Sequence, residues 1–79
     1  MSEIDHYSPT PLYKQLADML RAQIADGDLP PGRPLPSQRT LIQEHGLARG
    51  TVARAINILV DEGLVVIVPG KGAYVPPKR

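Results

Sequence analysis

Residues 46–63 read GLARGTVARAINILVDEG, and the fold turns on how this stretch is read. At about 100° per residue, Val52, Ile56, Leu59 and Val60 share one face. Gly50, Arg54, Asn57 and Asp61 share the opposite face. The stretch is an amphipathic helix that starts at Ala48 or Arg49 and stops at Gly63. Its charges run against the helix dipole: Arg49 and Arg54 lie near the start, Asp61 and Glu62 at the end. Such an order costs an isolated helix ~0.3–1 kcal/mol per misplaced charge. Ala48 adds to the cost, because Ser or Thr at the N-cap contributes about 1 kcal/mol and alanine cannot. Departures from local rules are expected where function sits.

Working outward, SQRTLIQEHG (residues 37–46) predicts a short helix with Ser37 as N-cap and Gly46 as stop. Only the turn GLA separates it from the next helix, and two helices joined by a short glycine-containing turn make a helix-turn-helix. Further upstream, Leu12, Leu16, Met19, Leu20 and Ile24 follow a helical period. Thr10 is the expected N-cap of that helix, Pro11 its first residue and Gly27 its end. DLPPGRPLP (residues 28–36) holds four of the nine prolines and reads as a stiff connector pinned by Leu29 and Leu35. Downstream, LVVIV-PGKG-AYV predicts a two-stranded hairpin, with Pro69 and Gly70 at the centre of a type II turn. The fold class is mainly α with a small β hairpin: a winged helix-turn-helix. Residues 1–10 read as a flexible N-terminal segment, 11–75 as the domain and 76–79 as the start of a linker.

Composition excludes several function classes. The chain has 79 residues and no cysteine, so it has neither a disulfide framework nor a thiolate metal site. His6 and His45 have no second ligand at a metal-binding spacing, and no cofactor is expected. The longest apolar run is five residues (64–68), too short for a membrane span. The polar start MSEIDH is unlike a secretory signal, so a cytoplasmic location is expected. Tyr7, Tyr13, Tyr74 and the two histidines supply no nucleophile–base pair, which argues against an enzyme. The net charge is only +1, but its distribution is uneven. Residues 1–30 are acidic, and residues 31–54 carry Arg33, Arg39, Arg49 and Arg54 against Glu44 alone. A segregated field of this kind steers a polyanion even when the total is near zero.

Double-stranded DNA accounts for the reversed helix. The N-terminal end of the second helix of a helix-turn-helix enters the major groove. There Arg49 and the free amide groups meet phosphates or base edges together, and arginine fits guanine O6 and N7 with two parallel bonds. Gly50 lets the backbone approach closely, and Thr51 offers a hydroxyl to phosphate. Arg39 sits on the first turn after Ser37, where the preceding helix meets the backbone; a salt bridge to Glu44 or to the acidic first helix is the competing expectation. Lys71, between Gly70 and Gly72, gives the hairpin a slim basic tip suited to a minor groove. Arg54 is expected to hold phosphate. The main alternative is a protein-interaction module, which would show an exposed apolar patch.

These residues resemble the N-terminal domain of the GntR family of bacterial transcription regulators, over nearly everything from Pro11 to Val75. PLYKQLADMLRAQI resembles the family's first helix. GDLPPGRPLPSQR resembles its G-x-L-x-P-G-x-x-L-P-S-E-R connector. GLARGTVARAINILVDEGLV resembles G-V-S-R-x-T-V-R-x-A-L-x-x-L-x-x-E-G-L-V, and GKGAYV resembles its wing. The resemblance implies DNA contacts from Arg39 and Arg49, minor-groove entry by Gly70 with Lys71 beside it, and phosphate contacts from Ser37 and Thr51. The implied interface therefore comprises Ser37, Gln38, Arg39, Ala48, Arg49, Gly50, Thr51 and Arg54, with Pro69, Gly70, Lys71 and Gly72 in the wing. Three positions depart from the pattern. Gln38 replaces the usual Glu, Ala48 the usual Ser or Thr, and Ala53 stands where many members carry an arginine, with Arg54 one step on. The resemblance further implies a repressor that binds an inverted-repeat operator as a homodimer. A small-molecule effector would act only through a C-terminal domain absent from this chain.

Overall fold

The computed structural model describes residues 4–77. Its elements run α1 (Leu12–Asp26), α2 (Gln38–His45), α3 (Arg49–Asp61), β1 (Val66–Val68) and β2 (Gly72–Tyr74). The strands pair antiparallel, with Val66 opposite Tyr74, Ile67 opposite Ala73 and Val68 opposite Gly72. This is the winged helix-turn-helix that the sequence predicts.

The core lies where α3 crosses α1 and α2. Leu16, Ala17 and Leu20 of α1 meet Val52, Ala55, Ile56 and Leu59 of α3, with Leu41 from α2, and Leu47 and Val65 from the flanking turns. Leu16, Leu20, Val52 and Leu59 have no solvent exposure. Burying side chains of this size contributes about 1.5–3 kcal/mol each, and this offsets the weak ends of the helices. Because α3 is clamped along this face, the opposite face (Gly50, Arg54, Asn57 and Asp61) stays in solvent.

The helix-turn-helix bend is made at Gly46. Its φ of 64° closes α2, and its amide donates to the Ile42 carbonyl. Ser37 caps the other end of α2: the Thr40 amide donates to Ser37 Oγ at 3.0 Å. The hairpin turns as expected through Pro69 and Gly70, with φ 77° at Gly70. The Lys71 amide donates to the Val68 carbonyl at 2.9 Å across this turn.

The connector does more than span a gap. The Gly32 amide donates to the Val75 carbonyl at 2.8 Å, the Val75 amide to the Arg33 carbonyl at 3.0 Å, and the Leu35 amide to the Ala73 carbonyl at 2.9 Å. The proline-rich segment thus lies along the free edge of β2, bridging at Pro34 and Tyr74. Prolines are tolerated there because the pairing uses the amides of Gly32 and Leu35 on an edge strand.

Two expectations at the N-terminus are corrected. First, α1 opens one residue later than predicted: Pro11, not Thr10, is the N-cap, and no side chain caps the helix. The Thr10 carbonyl instead accepts from Gln15 Nε2 at 2.9 Å. Second, residues 4–10 are not a free tail. Ile4 is 7% exposed and belongs to the core cluster. The Asp5 amide donates to Gln15 Oε1 at 2.8 Å. The Gln15 Nε2 group donates in return to the Asp5 carbonyl at 2.9 Å. His6 Nε2 lies 2.8 Å from the His45 carbonyl oxygen at the end of α2. One buried isoleucine and one reciprocal glutamine clip the segment down, and no helical or strand period announces either. Residues 1–3 and, in the expected linker, Lys78 and Arg79 lie outside the described residues.

Candidate nucleic-acid interface

The start of α3 is open. Ala48 occupies the N-cap in an extended conformation (φ −74°, ψ 152°) with no side-chain cap. Arg49 follows, exposed, and among the described residues it forms no salt bridge. Arg39 is likewise exposed and unpaired, so the alternative of a bridge to Glu44 or to α1 does not occur. Arg39 and Arg49 line one cleft between α2 and α3, together with Gln38, Ile42 and Gln43. A second cleft runs from the start of α2 to the wing, lined by Ser37 and Gln38 on one side and Ile67, Lys71 and Gly72 on the other. Gln38 borders both. The start of α2, the start of α3 and the wing tip therefore share one continuous concave face.

Most of the sequence-predicted residues come together on this face. Ser37, Gln38, Arg39, Arg49, Lys71 and Gly72 line its clefts. Ala48 and Gly50 are exposed at the head of α3, and Pro69 and Gly70 are exposed at the wing tip. Thr51 is half-buried. Ser37 has its hydroxyl engaged within the protein, where it caps α2 and bonds Thr40 Oγ1 at 2.9 Å. Arg54 is set apart: it lines neither cleft, and its Cζ lies 4.0 Å from the centre of the Tyr13 ring on α1.

Sequence reasoning missed two features. Gln43 lines the arginine cleft beside Arg49. Its place four residues after Arg39 on α2 was the available signal, since residues at that spacing share a helix face. The acid end of α3 is also accounted for. Arg21 Nε and Nη2 donate to Glu62 Oε1 and Oε2 at 2.9 and 2.8 Å, and Nη1 donates to Asp18 Oδ1 at 2.6 Å. The bonds to Glu62, then those to Asp18, hold the Arg21 pKa above its ordinary value.

The exposed large apolar residues among those described are Tyr7, Val66 and Ile67. Val66 and Ile67, the large exposed aliphatic residues among those described, are neighbours on β1 and so point to opposite faces of the hairpin. No described helix is long and apolar enough to cross a membrane, and no described cluster of His, Asp or Glu has metal-binding geometry.

Three helices, a hairpin wing and a cation-lined face at the head of the second helix of a helix-turn-helix define a winged-helix DNA-binding domain. Residues 12–75 match the family described as "Bacterial regulatory proteins, gntR family". The chain belongs to this family: it is the DNA-binding domain of a transcriptional regulator, not an enzyme. It is 42% identical over 72 residues to the transcriptional repressor NagR of Bacillus subtilis, covering 91% of this chain and 30% of that protein. It superposes with a TM-score of 0.84 on YtrA of Sulfolobus acidocaldarius, a GntR-family transcription factor, at 45% identity, covering 99% of this chain and 66% of that one. It superposes with a TM-score of 0.82 on the AraR DNA-binding domain in complex with operator ORR3, at 29% identity, covering 95% of this chain and 90% of that one. The chain thus spans under a third of the length of the curated repressor.

Proposed function

We propose that this domain reads a specific operator sequence for a repressor, with two copies engaging the halves of an inverted repeat. The observation that carries the reading is the convergence of Arg39 and Arg49, both exposed and without carboxylate partners among the described residues, on one cleft at the uncapped head of α3. Arg49 reads a base edge, most simply guanine, through paired bonds from its guanidinium. Arg39 contacts the backbone or a neighbouring base. Gly70 and Lys71 enter the minor groove, and Thr51 and Arg54 contact phosphate. A two-fold dimer matches half-sites about one helical turn apart. Its similarity to a repressor supports the direction of control. A small-molecule effector acts through a separate C-terminal domain, and the regulator works in the cytoplasm.

Selection of bound duplexes from a random pool supplies the operator, and two substitutions then separate the roles. Arg49→Ala is expected to cost ~1–3 kcal/mol on the selected sequence and to relax preference at one base pair. Lys71→Ala is expected to weaken all duplexes alike and to flatten the salt dependence by about one unit. Equal losses on selected and random DNA for Arg49→Ala would refute base reading.

A further inference from the structure

The arginines at the head of α3 are held in different ways. Arg49 is five residues before Arg54, so the two lie about 140° apart around the helix. Arg49 faces α2, in the cleft with Arg39. Arg54 reaches back to α1, with its Cζ over the Tyr13 ring and 4.0 Å from the ring centre. A helix lying in a major groove about 12 Å wide presents its two flanks to the two walls of that groove.

The kind of contact decides what Arg54 can still do. A carboxylate takes the N–H edge of a guanidinium. Arg21 shows this: its Nε, Nη1 and Nη2 all donate to Glu62 and Asp18, which leaves little edge for another anion. An aromatic ring takes the flat face instead and leaves the donors around the edge free. Arg54 has its Cζ over the Tyr13 ring, 4.0 Å from the ring centre, is exposed, and has no salt bridge among the described residues. Tyr13 itself is half-buried and packs against the core, so the platform is fixed while the guanidinium above it stays in solvent.

We infer that Tyr13 is a positioning residue that holds the Arg54 guanidinium flat and edge-outward as a phosphate clamp, on the flank of α3 turned away from Arg39 and Arg49. This rests on the DNA-binding reading and deepens it. It gives the shift from position 53 to Arg54 a physical meaning: the cation is placed against the backbone on the α1 side, where it adds affinity without adding base preference.

The test is a double-mutant cycle on the full chain. Binding is measured across a salt series to a duplex of random sequence and to the duplex selected from the pool. Arg54→Ala is expected to weaken both duplexes by the same factor and to reduce the salt slope by about 0.9. Tyr13→Leu is expected to weaken both about two- to fivefold with the slope retained, because the charge is still present. Tyr13→Phe keeps the ring and is expected to bind like the parent. In the Arg54→Ala background, Tyr13→Leu should have no further effect on affinity. The inference is overturned if Tyr13→Leu weakens binding equally with and without Arg54, which is the mark of a merely structural role read alongside its thermal midpoint. It is also overturned if Tyr13→Phe weakens binding, or if Arg54→Ala leaves the slope unchanged. Arg49→Ala on the same duplexes reports separately on base reading, so failure of the clamp and failure of the DNA-binding reading are distinguishable.

Discussion

At the C-terminal end of α3, Glu62 accepts two hydrogen bonds from Arg21 of α1. At the N-terminal end, Arg49 stands exposed, with no carboxylate partner among the described residues and no side-chain cap beneath it. Both ends carry the charge that the helix dipole disfavours. At the acid end Glu62 is paired by Arg21 of a neighbouring helix, whereas the basic end is left open. An open end that the fold leaves uncompensated is, on the proposed reading, where a polyanion completes the structure, and a closed end is ordinary packing. The same sequence irregularity thus has two causes within one helix.

The comparison breaks most completely if the shared anchor is removed. Leu59 sits fully buried on the core face of α3. Leu59→Ala is expected to destabilise the domain by ~2–5 kcal/mol, the usual cost of a leucine-sized cavity. A domain of this size has only ~4–12 kcal/mol in total. Both ends of α3 should then be lost together, in one urea transition followed by helical circular dichroism. A loss below about 1 kcal/mol would mean that α3 is not held along this face.

The open end can be tested without touching a charge. A Cβ built at Gly50 meets nothing within 4 Å, and its backbone is helical. Gly50→Ala should therefore stabilise the free domain by about 0.5–1 kcal/mol, because alanine loses less conformational entropy in a helix. On the proposed reading DNA affinity should fall at the same time, because the new methyl would stand where the backbone approaches the groove. Urea melts and a binding titration check the two halves. Greater stability with unchanged affinity would show that the backbone at Gly50 does not come close to the nucleic acid.

The contrast between these ends was only half legible in the sequence. The open end was readable because its signals are local: a missing cap, two arginines and a glycine within one turn and a half of a helix whose period is clear. The helix-turn-helix and the wing were readable for the same reason, since Gly46, Pro69 and Gly70 mark their turns within a few residues. The closed end depends on Arg21 meeting Glu62, 41 residues away, and the Arg54 stack on Tyr13 spans a similar separation. No spacing rule reaches that far. The N-terminal segment failed for a related reason: Ile4 and Gln15 act one at a time and carry no periodicity. The connector is legible as non-helical, but proline content hid the fact that Gly32, Arg33 and Leu35 pair with β2.

The smallest effect is expected at the closed end, and it is the sharpest check on the comparison. Glu62→Gln removes an exposed ion pair, worth ~0.2–1 kcal/mol. It also removes an acid from the wrong end of a helix dipole, which returns ~0.3–1 kcal/mol. The two contributions oppose, and Arg21 keeps Asp18 as a partner. The net change in stability should be within about 0.8 kcal/mol in either direction. It should also stay constant from about pH 6 to pH 10. Arg21, whose pKa is raised by these acids, stays charged throughout: its contribution is complete below its unfolded pKa and is lost only as pH rises far past it. DNA affinity should not move, since Glu62 lies at the far end of α3 from Arg49 and the groove. Urea melts at several pH values and one binding titration read all three. If Glu62→Gln alters DNA affinity, the ends are coupled through α1, and the division into a packed end and a ligand-facing end fails.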